Sequence, residues 1–306
     1  MTNKILITTM KQKLINLRTS DYEHPFDREA LQKINAIPIV PEVVNFLMNW
    51  TTIKWEIISL CGSNFHVTKE ACADLYKLTK EVSETLDLDR MPNVYMQQGY
   101  YINAYTTGHK KDAFIVLTTG SVDKLDNDEL TFVIGHESGH YKSGHVLYHL
   151  MTAYLSQLVT NIPGATAAAF PLRTALDYWN RMSEFTADRA GMLACQDLNA
   201  ALRAIMKMSG LPEKYYSNSS VDGFMKQAKE FNHKYCSTAD KLIKLISIID
   251  EDHPWTIVRA SELINWVESG EYERILTKTK GRLCPVCHQY VDINADTCPI
   301  CGNTFC

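Results

Sequence analysis

The sequence predicts an α+β fold that is mainly helical, with one small mixed or antiparallel sheet and a small metal-bound ribbon at its carboxyl end. Three observations carry that prediction. Apolar residues recur at three- and four-residue spacing through much of the 306 residues, the period of a helix with one buried face. Three short segments between Asn93 and Thr118 break that period and are bounded by glycine turns, as strands are. Four of the nine cysteines stand in two C-x-x-C pairs near the carboxyl end.

Residues 1–90 read as a helical region packed on the core. Helix starts are expected at Asp27 before Arg28-Glu29-Ala30-Leu31, at Pro41 before Glu42-Val43-Val44, and at Thr68 before Lys69-Glu70-Ala71. The third helix carries Leu75, Leu78, Val82 and Leu86 at helical spacing. Strand signals follow at Asn93 to Gln97, Tyr100 to Tyr105 and Ala113 to Thr118, with turns at Gly99, at Gly108-His109 and at Gly120. An edge strand here could hold an extended peptide by main-chain pairing, which tolerates many sequences. An ordinary hairpin with no ligand fits the same pattern.

The next segment carries the chemistry. Asp126 with Glu129 reads as a capping box ahead of the apolar run Leu130, Phe132, Val133 and Ile134, and starts a helix. That helix contains His136-Glu137-Ser138-Gly139-His140, an H-E-x-x-H motif. Residues four apart lie about 40° apart around a helix, so both imidazoles project from one face and can converge on a tetrahedral zinc ion. Glu137 sits beside them, placed to take a proton from a water activated by the metal. A helix with incidental surface histidines is the alternative. Gly135, Gly139 and Gly144 each weaken a helix by about 1 kcal/mol against alanine, so their spacing suggests that another backbone or a substrate comes close. The metzincin pattern fails, because Ser143 and Val146 stand where it needs glycine and histidine. His145 cannot replace the missing ligand, since five residues from His140 it points about 140° away.

The most apolar stretch, Val146 to Leu172, reads as a buried helical hairpin broken by Pro163-Gly164. Ala175 to Cys195 is again helical and apolar at Leu176, Trp179, Met182, Phe185 and Met192. Glu184 and Asp188 share one face of it, on or near the apolar side, where a carboxylate pair is costly without partners. Glu184 is therefore the expected third zinc ligand. Asp188 would accept the outer N–H of a ligating histidine and fix its tautomer. A solvated acidic face beside Arg181 and Arg189 is the alternative. Further on, Asp250-Glu251-Asp252-His253-Pro254-Trp255 opens another helix, with Pro254 in its first turn and His253 biased to a loop or helix entry.

Thr277-Lys278-Thr279-Lys280-Gly281 reads as a short polar linker to residues 281–306. There Cys284, Cys287, Cys298 and Cys301 have the spacing of a Cys₄ zinc ribbon. So short a segment cannot build an adequate core, so the metal supplies its folding energy, and four thiolates close the sphere. That zinc is structural, and the ribbon is suited to a protein contact or a lid. Cys306 lies outside both pairs.

Composition excludes several classes. Hydrophobic content of 45% and charged content of 22% are those of a globular protein able to bury a large core. A net charge of -4 argues against a nucleic-acid binder. No run reaches the roughly 20 apolar residues of a membrane span, which leaves room for a membrane-surface contact only. Met1 to Ser20 lacks a secretory signal, and scattered cysteines fit a reducing compartment, so the expected location is cytoplasmic.

Taken together, the pieces resemble peptidase family M48, the gluzincins that include the CAAX prenyl proteases and the HtpX-like proteases. The resemblance covers roughly Met91 to Leu263. It rests on Asn103-Ala104, Thr119-Gly120, Val133 to His140, Ser183-Glu184-Phe185-Thr186-Ala187-Asp188-Arg189, and His253-Pro254 with Arg259. It implies a zincin-like peptidase domain over 91–276, with zinc on His136, His140 and Glu184 and with Glu137 as the base. It also implies Asp188 behind a zinc-binding histidine and His253 near the developing oxyanion. Arg259 is expected with Asp188 behind the metal ligands, with a share in stabilising that oxyanion. The main chain of Asn103 and Ala104, with Tyr105 after them, would pair with substrate. The chain lacks the transmembrane helices of the best-known members, so it looks like a soluble branch with a ribbon appended. The expected function is a zinc metalloendopeptidase with one catalytic and one structural Zn²⁺, acting on a peptide or protein. A latent or non-catalytic peptide-binding scaffold is the alternative.

Overall fold

The computed structural model describes residues 11–37, 40, 51–109, 112–161, 165–235, 237 and 255–305. The fold is α+β and mainly helical, with one small mixed sheet. Helices α1 (Thr19–Tyr22), α2 (Pro25–Asn35), α3 (Thr51–Ser63) and α4 (Ala73–Thr85) come first. Pro25 occupies the first turn of α2 and His24 is its cap, its ring accepting from the Phe26 N–H, so Asp27 stands inside the helix and not at its start. The start expected at Thr68 falls later, at Cys72, because Thr68 instead closes a turn on the Ala71 N–H. The start at Pro41 lies outside the described residues.

The sheet has the order β1-β2-β4-β3, with β1 Phe65–His66, β2 Asn93–Gln97, β3 Ala104–His109 and β4 Asp112–Thr118. β4 runs parallel to β2 and antiparallel to β1 and β3 in sense, pairing directly with β2 and β3. β3 begins later than expected. Residues 99–103 are instead an anchored loop, in which Asn103 N–H reaches Ser121 Oγ at 2.9 Å and Asn103 C=O accepts from Thr118 N–H at 3.0 Å. Gly108-His109 remain in the strand, and the hairpin connection falls outside the described residues.

After α5 (Thr119–Lys124), the chain enters α6 (Asn127–Lys142), which bears the H-E-x-x-H motif. The capping box is present: Asp126 accepts from the N–H groups of Asp128 and Glu129, and Glu129 accepts from Asp126 N–H. Glu129 is fully buried, where Lys207 (2.6 Å) and Arg203 (3.0 Å) of α9 (Leu198–Met208) neutralise it.

α7 (His145–Asn161) and α8 (Ala165–Cys195) follow as the two arms of the expected hairpin. α8 is longer than expected. It runs from the hairpin through Pro171 to Cys195 without a break. Its first half, from Leu172 to Phe185, packs with Ile34, Met151 and Tyr154. Its second half, from Ala190 to Cys195, joins the main core of Val82, Ile115, Leu117, Phe132, Ile134 and Ile264. One helix thus belongs to both apolar clusters, and Glu184 and Asp188 lie at the junction.

Close approach of α6 and α8 sets the site. A Cβ on Gly135 would stand 2.4 Å from Ala194 Cβ, and one on Gly139 would stand 2.5 Å from Ala190 Cβ. On α8, a Cβ at Gly191 would stand 2.8 Å from the Phe132 carbonyl. Only hydrogen fits at these three positions, which explains a glycine cost that propensity opposes. Gly144 differs. Among the described residues no atom beyond its chain neighbours lies within 4 Å of a Cβ placed there, and its φ of 73° ends α6 and turns the chain into α7.

The core is completed by α10 (Asn218–Lys234), α11 (Thr256–Glu268) and α12 (Glu271–Lys278). The expected polar linker is not a loose tether. α12 runs through Lys278, Ile15 N–H donates to Thr279 C=O at 2.8 Å, and Lys280 bridges to Leu14. β5 (Gly281–Leu283) and β6 (Tyr290–Asp292) then pair antiparallel in the ribbon.

Candidate metal centre

The period of α6 brings His136 and His140 to one buried face, and α8 lays Glu184 across them. The two Nε2 atoms are 3.2 Å apart. Glu184 Oε2 lies 3.4 Å from His136 Nε2, and Glu184 Oε1 lies 3.2 Å from His140 Nε2. Ligands about 2.05 Å from a tetrahedral ion are separated by about 3.3 Å, so these three edges match a zinc-sized sphere. Charge agrees with geometry. Glu137, Glu184 and Asp188 are buried carboxylates facing one buried guanidinium, Arg259, and a divalent cation makes the group neutral.

Asp188, one turn beyond Glu184, accepts His136 Nδ1–H at 3.0 Å. Arg259 of α11 clamps that carboxylate with two bonds, Nη2 to Oδ1 at 2.6 Å and Nε to Oδ2 at 2.8 Å. Burial would raise the Asp188 carboxyl, but the Arg259 charge holds it below the usual range. Burial would also push the His136 imidazole down, yet its bonds to Asp188 and Glu184 lift it to about 10 without metal. Burial dominates at His140 and lowers it. Arg259 Nη1 also stands 3.7 Å from Glu184 Oε2.

Glu137 points toward the sheet. Thr106 of β3 donates its hydroxyl to Glu137 Oε2 at 2.6 Å and lies 3.0 Å from the Glu137 carbonyl. β3 has a strand neighbour on one side among the described residues. The Thr118-to-Asn103 bond sets the antiparallel phase, in which hydrogen-bonded pairs alternate. Tyr105 therefore turns its main chain inward to Val116, whereas Ala104 and Thr106 turn theirs to the open edge. Asn103 is committed to Thr118 and Ser121.

The structure thus brings together His136, His140, Glu184, Asp188, Arg259 and Glu137, with Ala104 on the neighbouring edge. His253 lies outside the described residues. Three residues escape the sequence reading: Thr106, His145 and Asp27. Thr106 carries no signal in one sequence. His145 does, as a histidine five places past His140 with a glycine between, a spacing wrong for a ligand but right for a chain that turns back. Asp27 reads in the sequence as a cap.

At the ribbon, Cys284, Cys287, Cys298 and Cys301 form a second group that could hold a metal ion. Cys284 Sγ to Cys301 Sγ and Cys287 Sγ to Cys298 Sγ are both 3.7 Å, against about 3.8 Å for thiolates about 2.3 Å from a tetrahedral zinc. The two knuckles match in backbone as well. Cys284 C=O accepts from His288 N–H and Cys298 C=O from Gly302 N–H, with His288 and Gly302 both at positive φ. The backbone N–H groups of Cys287 and Val286 draw the Cys284 thiol down to about 6.

A helix-borne H-E-x-x-H with a glutamate from a second helix defines a metallopeptidase centre of the gluzincin kind. Residues 70–267 match the model of peptidase family M48, more than half of the chain, and the chain belongs to that family. It is 29% identical over 269 residues to the plastoglobule-localized metallopeptidase 48, chloroplastic, of Arabidopsis thaliana, covering 87% of this chain and 78% of that protein. It is 27% identical over 233 residues to a protease HtpX homolog of Helicobacter pylori, covering 63% of this chain and 74% of that protein. Among solved structures it is similar to S. mikatae Ste24p, with 19% identity, a TM-score of 0.43, and coverage of 78% of this chain and 61% of that one. Among the described residues no helix is long and apolar enough to cross a membrane.

Proposed function

We propose that this metallopeptidase is an endopeptidase acting on extended segments of protein substrates, with Glu137 as its general base and acid. The observation that carries this is the position of Glu137, next in sequence to His136 and held by Thr106 on an edge strand with open main-chain groups. His136, His140 and Glu184 would hold the zinc, which would supply Lewis acidity toward a carbonyl and a water. Glu137 takes that water's proton and returns it to the departing amine. Substrate pairs with the main chain of Ala104 and Thr106, while Asn103 and Tyr105 shape the edge around them. His253 donates to the oxyanion. Arg259, engaged twice by Asp188, supports the metal site through that carboxylate. The peptidase domain takes 91–276, with the described helices before residue 91 packed on it and a ribbon from 281 whose zinc would be structural.

The experiment compares zinc-loaded wild type with Glu137→Gln on a diverse peptide mixture, reading new termini by mass spectrometry. Internal cleavages confined to wild type support the assignment, and equal cleavage by the variant sinks it. A second reading, a latent enzyme, is favoured by the burial of Glu137, which is 6% exposed. A chain cut after Lys280 that cleaves faster than the whole protein would place the lid in the ribbon. Cys61, Cys72 and Cys195, the described cysteines outside the ribbon, form no disulfide, which supports a reducing, cytoplasmic location that fractionation checks.

A further inference from the structure

His140 is supported differently from its partner ligand. Its outer nitrogen, Nδ1, does not meet a carboxylate but lies 3.0 Å from Nδ1 of His145. His145 Nε2 in turn lies 3.1 Å from Asp27 Oδ2 on α2. All three side chains are buried.

The proton positions along this chain are forced once His140 binds a metal. Its Nε2 must present a lone pair, so its proton sits on Nδ1 and is donated to His145. His145 Nδ1 must then accept, so its own proton sits on Nε2 and is donated to Asp27. The reverse order would put a proton on His140 Nε2 and close it to the metal. Asp27 is built to receive: Trp179 Nε1–H donates to Oδ1 at 2.8 Å and the Thr186 hydroxyl to Oδ2 at 2.6 Å. With three donors around it among the described residues, Asp27 is the ionised end of the chain.

We infer that Asp27 and His145 are positioning residues for the metal, an Asp–His pair that fixes the tautomer and orientation of His140. The metal site therefore depends on α2, which precedes the residues that match the family model. The turn at Gly144 makes this contact: α6 ends there and α7 begins at His145, beneath the ligand.

The inference rests on metal binding at the site and not on the peptidase chemistry. Zinc affinity is read by chelator competition on the full chain, and ligand geometry by the d–d spectrum of the Co²⁺-substituted protein. Wild type without a tetrahedral cobalt spectrum would refute the metal reading itself. With that spectrum present, folded Asp27→Asn and His145→Phe are expected to bind zinc about tenfold to hundredfold more weakly and to shift the cobalt bands. His145→Gln, whose amide oxygen can still accept from His140, should recover most of the affinity. Should His145→Phe not fold, Asp27→Asn and His145→Gln carry the comparison. Zinc affinity within twofold of wild type and an unchanged spectrum in folded Asp27→Asn would overturn the inference, because a merely structural Asp27 would lower stability alone.

Discussion

Thr106 and Glu137 carry the sharpest consequences at the scale of single residues. Replacing Glu137 by Gln keeps its size and removes its basicity, so zinc content should hold while kcat falls about 10²- to 10⁴-fold. Thr106→Val removes the hydroxyl that holds Glu137. A hydrogen bond to a charged group contributes about 1.5–3 kcal/mol, so kcat should fall about tenfold or more with KM little changed. Equal losses in both parameters would instead mean a disturbed edge strand. Asp27 has a pH signature of its own. Burial would raise it, but its bond to His145, with those from Thr186 and Trp179, holds it below the ordinary value of 3.8. A depressed carboxyl stabilises the fold above its unfolded value and loses that contribution as pH falls through its folded value. Urea midpoints of chelated wild type and Asp27→Asn should therefore differ by a constant amount above about pH 5 and converge in acid.

Two helices do most of the work at the scale of elements. α6 presents the histidines and α8 the carboxylates, and their register is set by Gly135, Gly139 and Gly191. Gly139→Val would force the crossing apart against Ala190. Overpacking of this kind costs about 1–3 kcal/mol, and here it also moves Glu184 from His140, so melting temperature and zinc content should drop together. Retained zinc at a lowered melting temperature would show that the ligands adjust independently of the crossing. The capping box of α6 was legible because its residues are adjacent in sequence. The register of β3 was not, because Tyr100 and Tyr101 look like strand residues, while the contacts that fold 99–103 into a loop come from Thr118, Thr119 and Ser121.

Over the whole molecule, the two groups of side chains that could hold a metal ion sit in different surroundings. The His-His-Glu centre lies where α8 passes from one apolar cluster to the other, so its geometry is supported by most of the core. The ribbon has a small core of Cys284, Val291 and Cys298. Cys284→Ser should lower zinc content from two per chain to one and leave the catalytic centre filled, measured by elemental analysis beside peptide cleavage. Loss of both metals would mean that ribbon and body fold as one unit through the Leu14–Lys280 bridge.

Short spacings encode the local part of the site: the helix with two histidines on one face, the glutamate beside them, the glutamate and aspartate one turn apart, and the paired cysteines. Each is a local pattern whose meaning follows from helix or knuckle geometry. The remaining contacts are long-range. Asp27 lies more than a hundred residues from His145, Thr106 thirty-one from Glu137, and Arg259 seventy-one from Asp188. No periodicity records such distances, because they arise only when separate helices and a strand pack around shared buried charge, where an unpartnered polar group would be costly.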